Sequence, residues 1–345
     1  MKLSIVDQSP VPAGATPADA LRNTINLARL ADRLGYERYW IAEHHATPGF
    51  ASPAPEVLIA RVGSETAGIR IGSGGVLLPH YSPLKVAETF RVLHALYPGR
   101  IDLGIGRAPG SSPLEAYALR RDRDRQALTD DFPEQLVELL AFLRHTFPPD
   151  HPFSRIKVSP EMPGCPEVWL LGSSMWSATA AAQLGLPYAF AHFINPEPTR
   201  AALEYYHSHV TAAGGSAPGT ILALGVICAD TETEAQRLHA SVRVRHVLRE
   251  LGIDPGPIPT PQDALTRLGA GAARTSTDES EWPRYVVGAP EQVHAQLVRI
   301  ATELKVEELM VVTVVHDHEA RRRSHLLLAE VFGLESRAQG APPPR

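Results

Sequence analysis

Short apolar runs rich in β-branched residues alternate with longer amphipathic stretches along most of this chain, and few folds accommodate that alternation. Leu3 to Val6 reads as a strand. Thr16-Pro17 then supplies an N-cap and an N1 proline. Leu21, Ile25, Ala28, Leu30, Ala31 and Leu34 follow at helical spacing, and Gly35 stops the helix. The cycle returns with strands near Tyr39 to Ala42, Ile69 to Leu77, Arg100 to Gly106, Val168 to Leu171, Pro187 to Ala191, Ile221 to Cys228 and Leu309 to Val315. Helices predicted at about Pro53 to Ala67, Pro83 to Leu96, Pro133 to Leu143, Ala178 to Leu184, Pro198 to Ala213, Glu232 to Leu251 and Pro290 to Leu304 fill the intervals. Strand, crossover helix and next strand is the pattern of a parallel sheet, and eight strand candidates is the number that closes a barrel around a filled interior.

The chain has 345 residues, enough for a barrel of about 250 plus insertions. The expected architecture is a single (β/α)8 TIM barrel over residues 1–335, with insertions at its C-terminal face. Residues 252–284, rich in Pro, Gly, Ser and Thr, break the rhythm and are expected to form an active-site lid; residues 336–345 are expected to fray as a tail.

Charge and cysteine usage remove several function classes. The 33 basic and 38 acidic residues sum to −5, so no nucleic acid and no membrane partner is expected. Cys165 and Cys228 form no Cys-x-x-Cys pair, which leaves neither a disulfide framework nor a zinc site. The first residues lack a basic region followed by a long apolar segment, and the expected location is cytoplasmic.

In such a barrel the chemistry sits at the C-terminal ends of the strands. The second strand runs into Glu43-His44-His45. Successive strand residues face opposite ways, so the two imidazoles cannot enter one pocket, which argues against a two-histidine metal chelate; packing on a helix and a local hydrogen bond are the alternative, and the strand-end position favours at least one functional imidazole. Gly74-Gly75 lies in the third strand, where missing side chains would leave room for a flat ligand, a turn being the alternative. Arg107 leaves the fourth strand after Gly104-Ile105-Gly106, and its guanidinium suits a phosphate or carboxylate, a surface salt bridge being the alternative. Gly172-Ser173-Ser174-Met175-Trp176-Ser177 leads from the fifth strand into a helix whose first amides and hydroxyls suit an anion. Together these describe a phosphate pocket at the top of a barrel.

Taken in order, Trp40-Ile41-Ala42-Glu43-His44-His45, Ile71 to Pro79, Gly99 to Arg107, and Gly172-Ser173-Ser174 followed by Gly185-Leu186-Pro187 resemble the bacterial-luciferase-like flavin monooxygenases over nearly the whole chain. The resemblance implies that His44 stands beside the flavin and serves proton transfer. It implies a non-proline cis peptide at Gly74-Gly75 beneath the isoalloxazine ring. Arg107, Ser174 and Ser177 match residues that hold the FMN phosphate, Arg125 falls near a second basic contact, and His192 falls where a large side chain flanks the ring. Gly106 replaces a cysteine of the light-emitting luciferase subunit, and Ser173 replaces an acidic group in the phosphate-binding segment, which puts light emission in doubt.

The implied activity is oxidation of a small organic substrate by O2 through a C4a-hydroperoxide of reduced FMN. No Gly-rich dinucleotide fingerprint follows the first strand, so a separate NAD(P)H:flavin reductase is expected to supply the reductant. The alternatives are an oxidoreductase using the deazaflavin F420 and a non-catalytic flavin-binding accessory subunit. Val57, Leu58, Ala60, Val62, Val86, Ala87 and Phe90 exceed one barrel-facing stripe, and the family dimerises through this region, so a homodimer is expected.

Overall fold

Strand alternation sets the barrel. A computed structural model of the chain describes residues 1–108, 113–119, 131–210, 218–269 and 281–337. Among these, β1 (Lys2–Asp7), β2 (Arg38–Ile41), β3 (Arg70–Leu77), β4 (Ile101–Gly106), β5 (Glu167–Gly172) and β6 (Tyr188–Ala191) pair in parallel in chain order. Next, β6 pairs with β7 (Thr220–Cys228), β7 with β9 (Glu308–Val312), and β9 with β1, closing an eight-stranded barrel. Leu3, Ile5, Tyr39, Ile41, Ile101, Leu103, Leu170 and Leu309 point outward into one core under the helices. Their neighbours Val6, Trp40, Trp169, Ala189, Ala223, Met310 and Val312 fill a second core inside the barrel.

The interior is filled from the N-terminal end. Arg38 donates to Asp102, Glu167 and Glu308, Arg70 to Asp102 and Glu167, and the Trp40 indole N–H to Asp102 at 2.9 Å. Above this buried ionic plug, Trp40 and Trp169 meet edge to face at 5.6 Å. Farther up, the inward positions include Gly74, Gly104, Ala191 and Gly225, with the Leu171 side chain against Gly104 and the Tyr285 ring against Gly225.

Eleven α-helices are described, most of them wrapping the barrel: α1 (Pro17–Leu34), α2 (Pro55–Gly63), α3 (Pro83–Leu96), α4 (Pro113–Leu119), α5 (Phe132–Arg144), α6 (Met175–Leu184), α7 (Thr199–His209), α8 (Glu232–Glu250), α9 (Pro261–Leu268), α10 (Pro290–Leu304) and α11 (His318–Val331). In α1, Thr16 and Asp19 form a capping box, and Gly35 closes the helix at φ +88°. The predicted helix over Pro53 to Ala67 is shorter in the structure because the Asp32 carboxylate takes the amides of Ala67, Gly68 and Ile69 at 2.7–3.1 Å and turns the chain into β3.

The segment between α8 and α10 is more ordered than a lid loop alone. It holds α9, capped by Thr260 and packed on α8, and β8 (Tyr285–Gly288), which pairs with Gly225–Cys228 of β7; residues 270–280 lie outside the described ones. Since β6 pairs with Thr220 to Ala223 and β9 takes the other edge, β8 continues the β6 edge and parts the barrel wall at its top. The surplus apolar surface on α2 and α3 also differs from expectation. Leu58, Val62, Val86, Ala87 and Phe90 are core residues, whereas Val57, Val92 and Leu96 are 63, 48 and 57 % exposed. No helix among the described residues is long and apolar enough to cross a membrane.

Candidate active site

The end of β2 divides its three polar residues between two environments. Glu43 is buried, and its carboxylate accepts from His45 Nε2 at 2.6 Å, the Leu77 amide at 3.0 Å and the Tyr81 hydroxyl at 2.9 Å. Burial raises its pKa, while these three donors pull it back. His44 faces the other way, its ring 4.6 Å from that of Phe50 and its amide bonded to the Ser52 carbonyl. Its Nδ1 is buried without a partner, and burial, reinforced by Arg249, His45 and Arg245, pushes its pKa down to about 4. One imidazole is thus neutral and open to a proton; the other is oriented by a carboxylate. The sequence reading assigned His44 and passed over Glu43 and Tyr81. A carboxylate placed directly after an apolar strand was the signal that could have found Glu43.

Next to this pair, β3 carries one residue too many for β4. Ser73 is opposite Leu103 and Val76 opposite Ile105, so Gly74-Gly75 bulges across from Gly104, and its peptide bond is cis. A Cβ on Gly75 would lie 2.8 Å from the Gly104 carbonyl oxygen, and one on Gly74 would lie 2.9 Å from Val6 Cγ2. Only glycine fits at either position without displacing a neighbour.

The ends of β4 and β5 supply the positive side. Arg107 is exposed, and its Cζ lies 4.6 Å above the Trp176 ring in the first turn of α6. Ser174 is the exposed, extended N-cap of that helix, and its hydroxyl makes no capping bond. Ser173 is partly buried, its carbonyl held by Asn195 Nδ2 at 3.2 Å. Ser177 also lies in the first turn, but its hydroxyl faces inward, donating to the Ser174 carbonyl at 2.8 Å and pairing with the Tyr188 hydroxyl at 2.9 Å. Gly172 has no side chain because a Cβ there would run into Ser177.

His192 follows β6 as anticipated, yet it is fully buried. Its Nδ1 is 2.7 Å from Thr199 Oγ1 and its Nε2 3.1 Å from the Pro283 carbonyl oxygen, so the ring ties β6 to the segment entering β8. Arg125 lies outside the described residues. The structure therefore gathers His44, Gly74-Gly75, Arg107, Ser173 and Ser174 along neighbouring strand ends of one rim. A cavity of about 420 Å³ lined by Arg70, His94, Cys165 and Glu167 opens at the opposite, N-terminal face and includes none of them.

This rim has the parts a phosphorylated, flat cofactor needs: a glycine step without side chains, a guanidinium beside a helix N-terminus, and a buried imidazole nitrogen without a partner. Comparison with known proteins gives the family. The profile described as luciferase-like monooxygenase matches residues 1–308. A luciferase-like monooxygenase of Escherichia coli strain K12 is 38% identical over 95% of this chain and 96% of its own length. The N-acetyl-S-alkylcysteine monooxygenase of Bacillus subtilis is 34% identical over 96% of this chain and 98% of its own. Among solved structures, apo-MsnO8 is 50% identical, superposes with a TM-score of 0.87, and covers 97% of this chain and 99% of its own.

Proposed function

Because this chain belongs to the luciferase-like monooxygenase family, we propose that it is an FMN-dependent monooxygenase. One atom of O2 enters a small organic substrate and the other leaves as water, with the reductant carried in by a separate NAD(P)H:flavin reductase. When bound, reduced FMN supplies the two electrons that this reaction needs. The chain's own residues do the rest. Arg107, Ser174 and the first amides of α6 hold the phosphate. Gly74 and Gly75 leave the barrel mouth flat for the ring, over a floor of Trp40 and Trp169 that keeps water out from below. His44, neutral at pH 7 in the flavin-free chain, takes up a proton, and Glu43 fixes the orientation of His45. The described residues 252–269 and 281–284 cover the mouth as a lid, and the exposed Val57, Val92 and Leu96 of α2 and α3 form the contact of a homodimer.

The observation that carries this reading is the Gly74-Gly75 bulge between His44 and Arg107 on consecutive strands. The test is oxygen transfer under ¹⁸O2 with reduced FMN and a panel led by alkyl thioethers, the class named for the Bacillus relative. Incorporation of one ¹⁸O per product is expected. Saturation by F420 with no FMN binding would move the chain to hydride transfer, and FMN binding without any O2-dependent product across the panel would favour an accessory subunit.

A further inference from the structure

The flavin reading leaves a second positive pole of the mouth unused. Helix α8 extends Arg245 and Arg249 over the Phe50 ring, with Cζ atoms 5.2 and 5.9 Å from its centroid, and His44 touches the same ring. Arg245 is 2 % exposed. Its Nη1 donates to the Gly256 carbonyl, while Nη2 has no partner. A Cβ on Gly49 would sit 2.7 Å from Nη2, so the guanidinium is seated against the bare α-carbon of that glycine in the loop that carries His44.

Neither arginine forms an ion pair with the described residues. The charge of Asp254 reaches Arg245, yet its carboxylate accepts from the Gly256 amide at 2.9 Å instead. Burial and Arg249 together push the Arg245 pKa down to about 10, the direction expected of a cation lacking a counter-charge. Tyr285, packed on the same helix 5.3 Å from His239, feels both guanidinia. Around Phe50 the fold thus collects two guanidinia and two unpartnered buried nitrogens, His44 Nδ1 and Arg245 Nη2. Burying a guanidinium without an ion-pair partner is expensive, and an incoming anion would relieve it.

We propose that the substrate carries a carboxylate, which Arg245 and Arg249 bind beside His44. That this anion belongs to the substrate rests on the flavin reading and on position. Arg107 and α6 follow β4 and β5, whereas α8 follows β7, three strands from β4 one way around the barrel and five the other. A cofactor with its phosphate at the first pole has Gly74-Gly75 and His44 along the path to the second. The second pole is therefore left for the molecule being oxidised, and a planar anion suits the unpartnered Nη2 of Arg245 together with the exposed guanidinium of Arg249.

The experiment uses the full flavin-free chain and calorimetric titration with benzoate, benzamide and phenylphosphonate. Benzoate should bind at least roughly tenfold more tightly than benzamide, as a charge-assisted pair would give, and more tightly than phenylphosphonate, whose tetrahedral head fits the buried planar guanidinium less well. Arg249→Met, at an exposed position, should weaken benzoate by about five- to tenfold, and Arg245→Met should abolish the preference, with Arg245→Lys restoring part of it. FMN affinity should stay within about twofold of wild type in all three. The proposal is overturned if wild type treats benzoate and benzamide alike, if phenylphosphonate binds best, if Arg249→Met keeps the full preference, or if FMN affinity falls with benzoate affinity. Should Arg245→Met fail to fold, Arg249→Met decides alone. Failure of the flavin reading looks different: wild type would bind no FMN, while the benzoate preference, read without flavin, would be untouched.

Discussion

His44 is the residue on which the proposed chemistry turns. Its imidazole sits among Phe50, His45 and the two α8 guanidinia, and burial first, then those charges, hold it neutral. A neutral imidazole at pH 7 accepts a proton, and such catalysis contributes about 10²–10⁴-fold. His44→Ala should therefore bind FMN nearly as wild type and lose a factor in that range in product formation; an unchanged rate would make the histidine structural. The sequence exposed the Glu-His-His run but not its division of labour. Glu43 is fixed by Leu77 and Tyr81, 34 and 38 residues away, and pairings of that range are invisible until β2 and β3 lie side by side. The inward turn of the Ser177 hydroxyl in α6 was likewise hidden, since Tyr188 meets it from β6.

Among the elements, the glycine-bearing strands decide whether a flat group can enter. Gly75→Ala would force a methyl to 2.8 Å from the Gly104 carbonyl oxygen, whereas a Cβ on Gly106 meets Leu77 Cδ2 at an ordinary 3.6 Å. The first substitution should destabilise the fold by about 1–3 kcal/mol and the second by no more than about 0.5 kcal/mol. Denaturant midpoints of the two variants check this; equal midpoints would show that the bulge yields easily. Helices such as α1, α3 and α10 were legible because each starts on a proline, and α1 adds a polar cap, signals that act locally. By contrast, β8 is four residues long and owes its place to the open edge of β7 and to Gly225, whose missing side chain admits the Tyr285 ring. Neither cause is local, so the strand was read as loop.

For the whole molecule, closure of the barrel was legible from alternation alone, because each strand needs a parallel neighbour on both sides and eight of them leave no edge. What alternation hides is where the fold keeps its buried charge. The pKa of His239 and that of His318 are pushed down to about 4, and that of His325 to about 3, in each case by burial first. Folded values below the unfolded 6.5 mean that the unfolded chain binds protons more readily. The stability they protect is complete above about pH 6.5 and is lost as pH falls towards their folded values, at up to about 1.4 kcal/mol per pH unit for each. Asp102 and Glu308, raised by burial, pull the other way, but Arg38 opposes that rise in both. Urea midpoints should therefore fall between pH 7.5 and 5; a flat profile would contradict this. Light scattering at micromolar concentration should give twice the chain mass, with Val57→Glu shifting it towards monomer, and a monomeric wild type would remove the α2–α3 contact.

The central claim is that this rim holds reduced FMN by its phosphate, and anaerobic titration of reduced FMN into wild type and Arg107→Ala tests it most directly. Wild type should saturate at one FMN per chain, and loss of the Arg107 guanidinium should weaken binding by about 2 kcal/mol, roughly thirtyfold, without changing the thermal midpoint. A wild type that never saturates, or an Arg107→Ala variant that binds as tightly as wild type, would contradict the account.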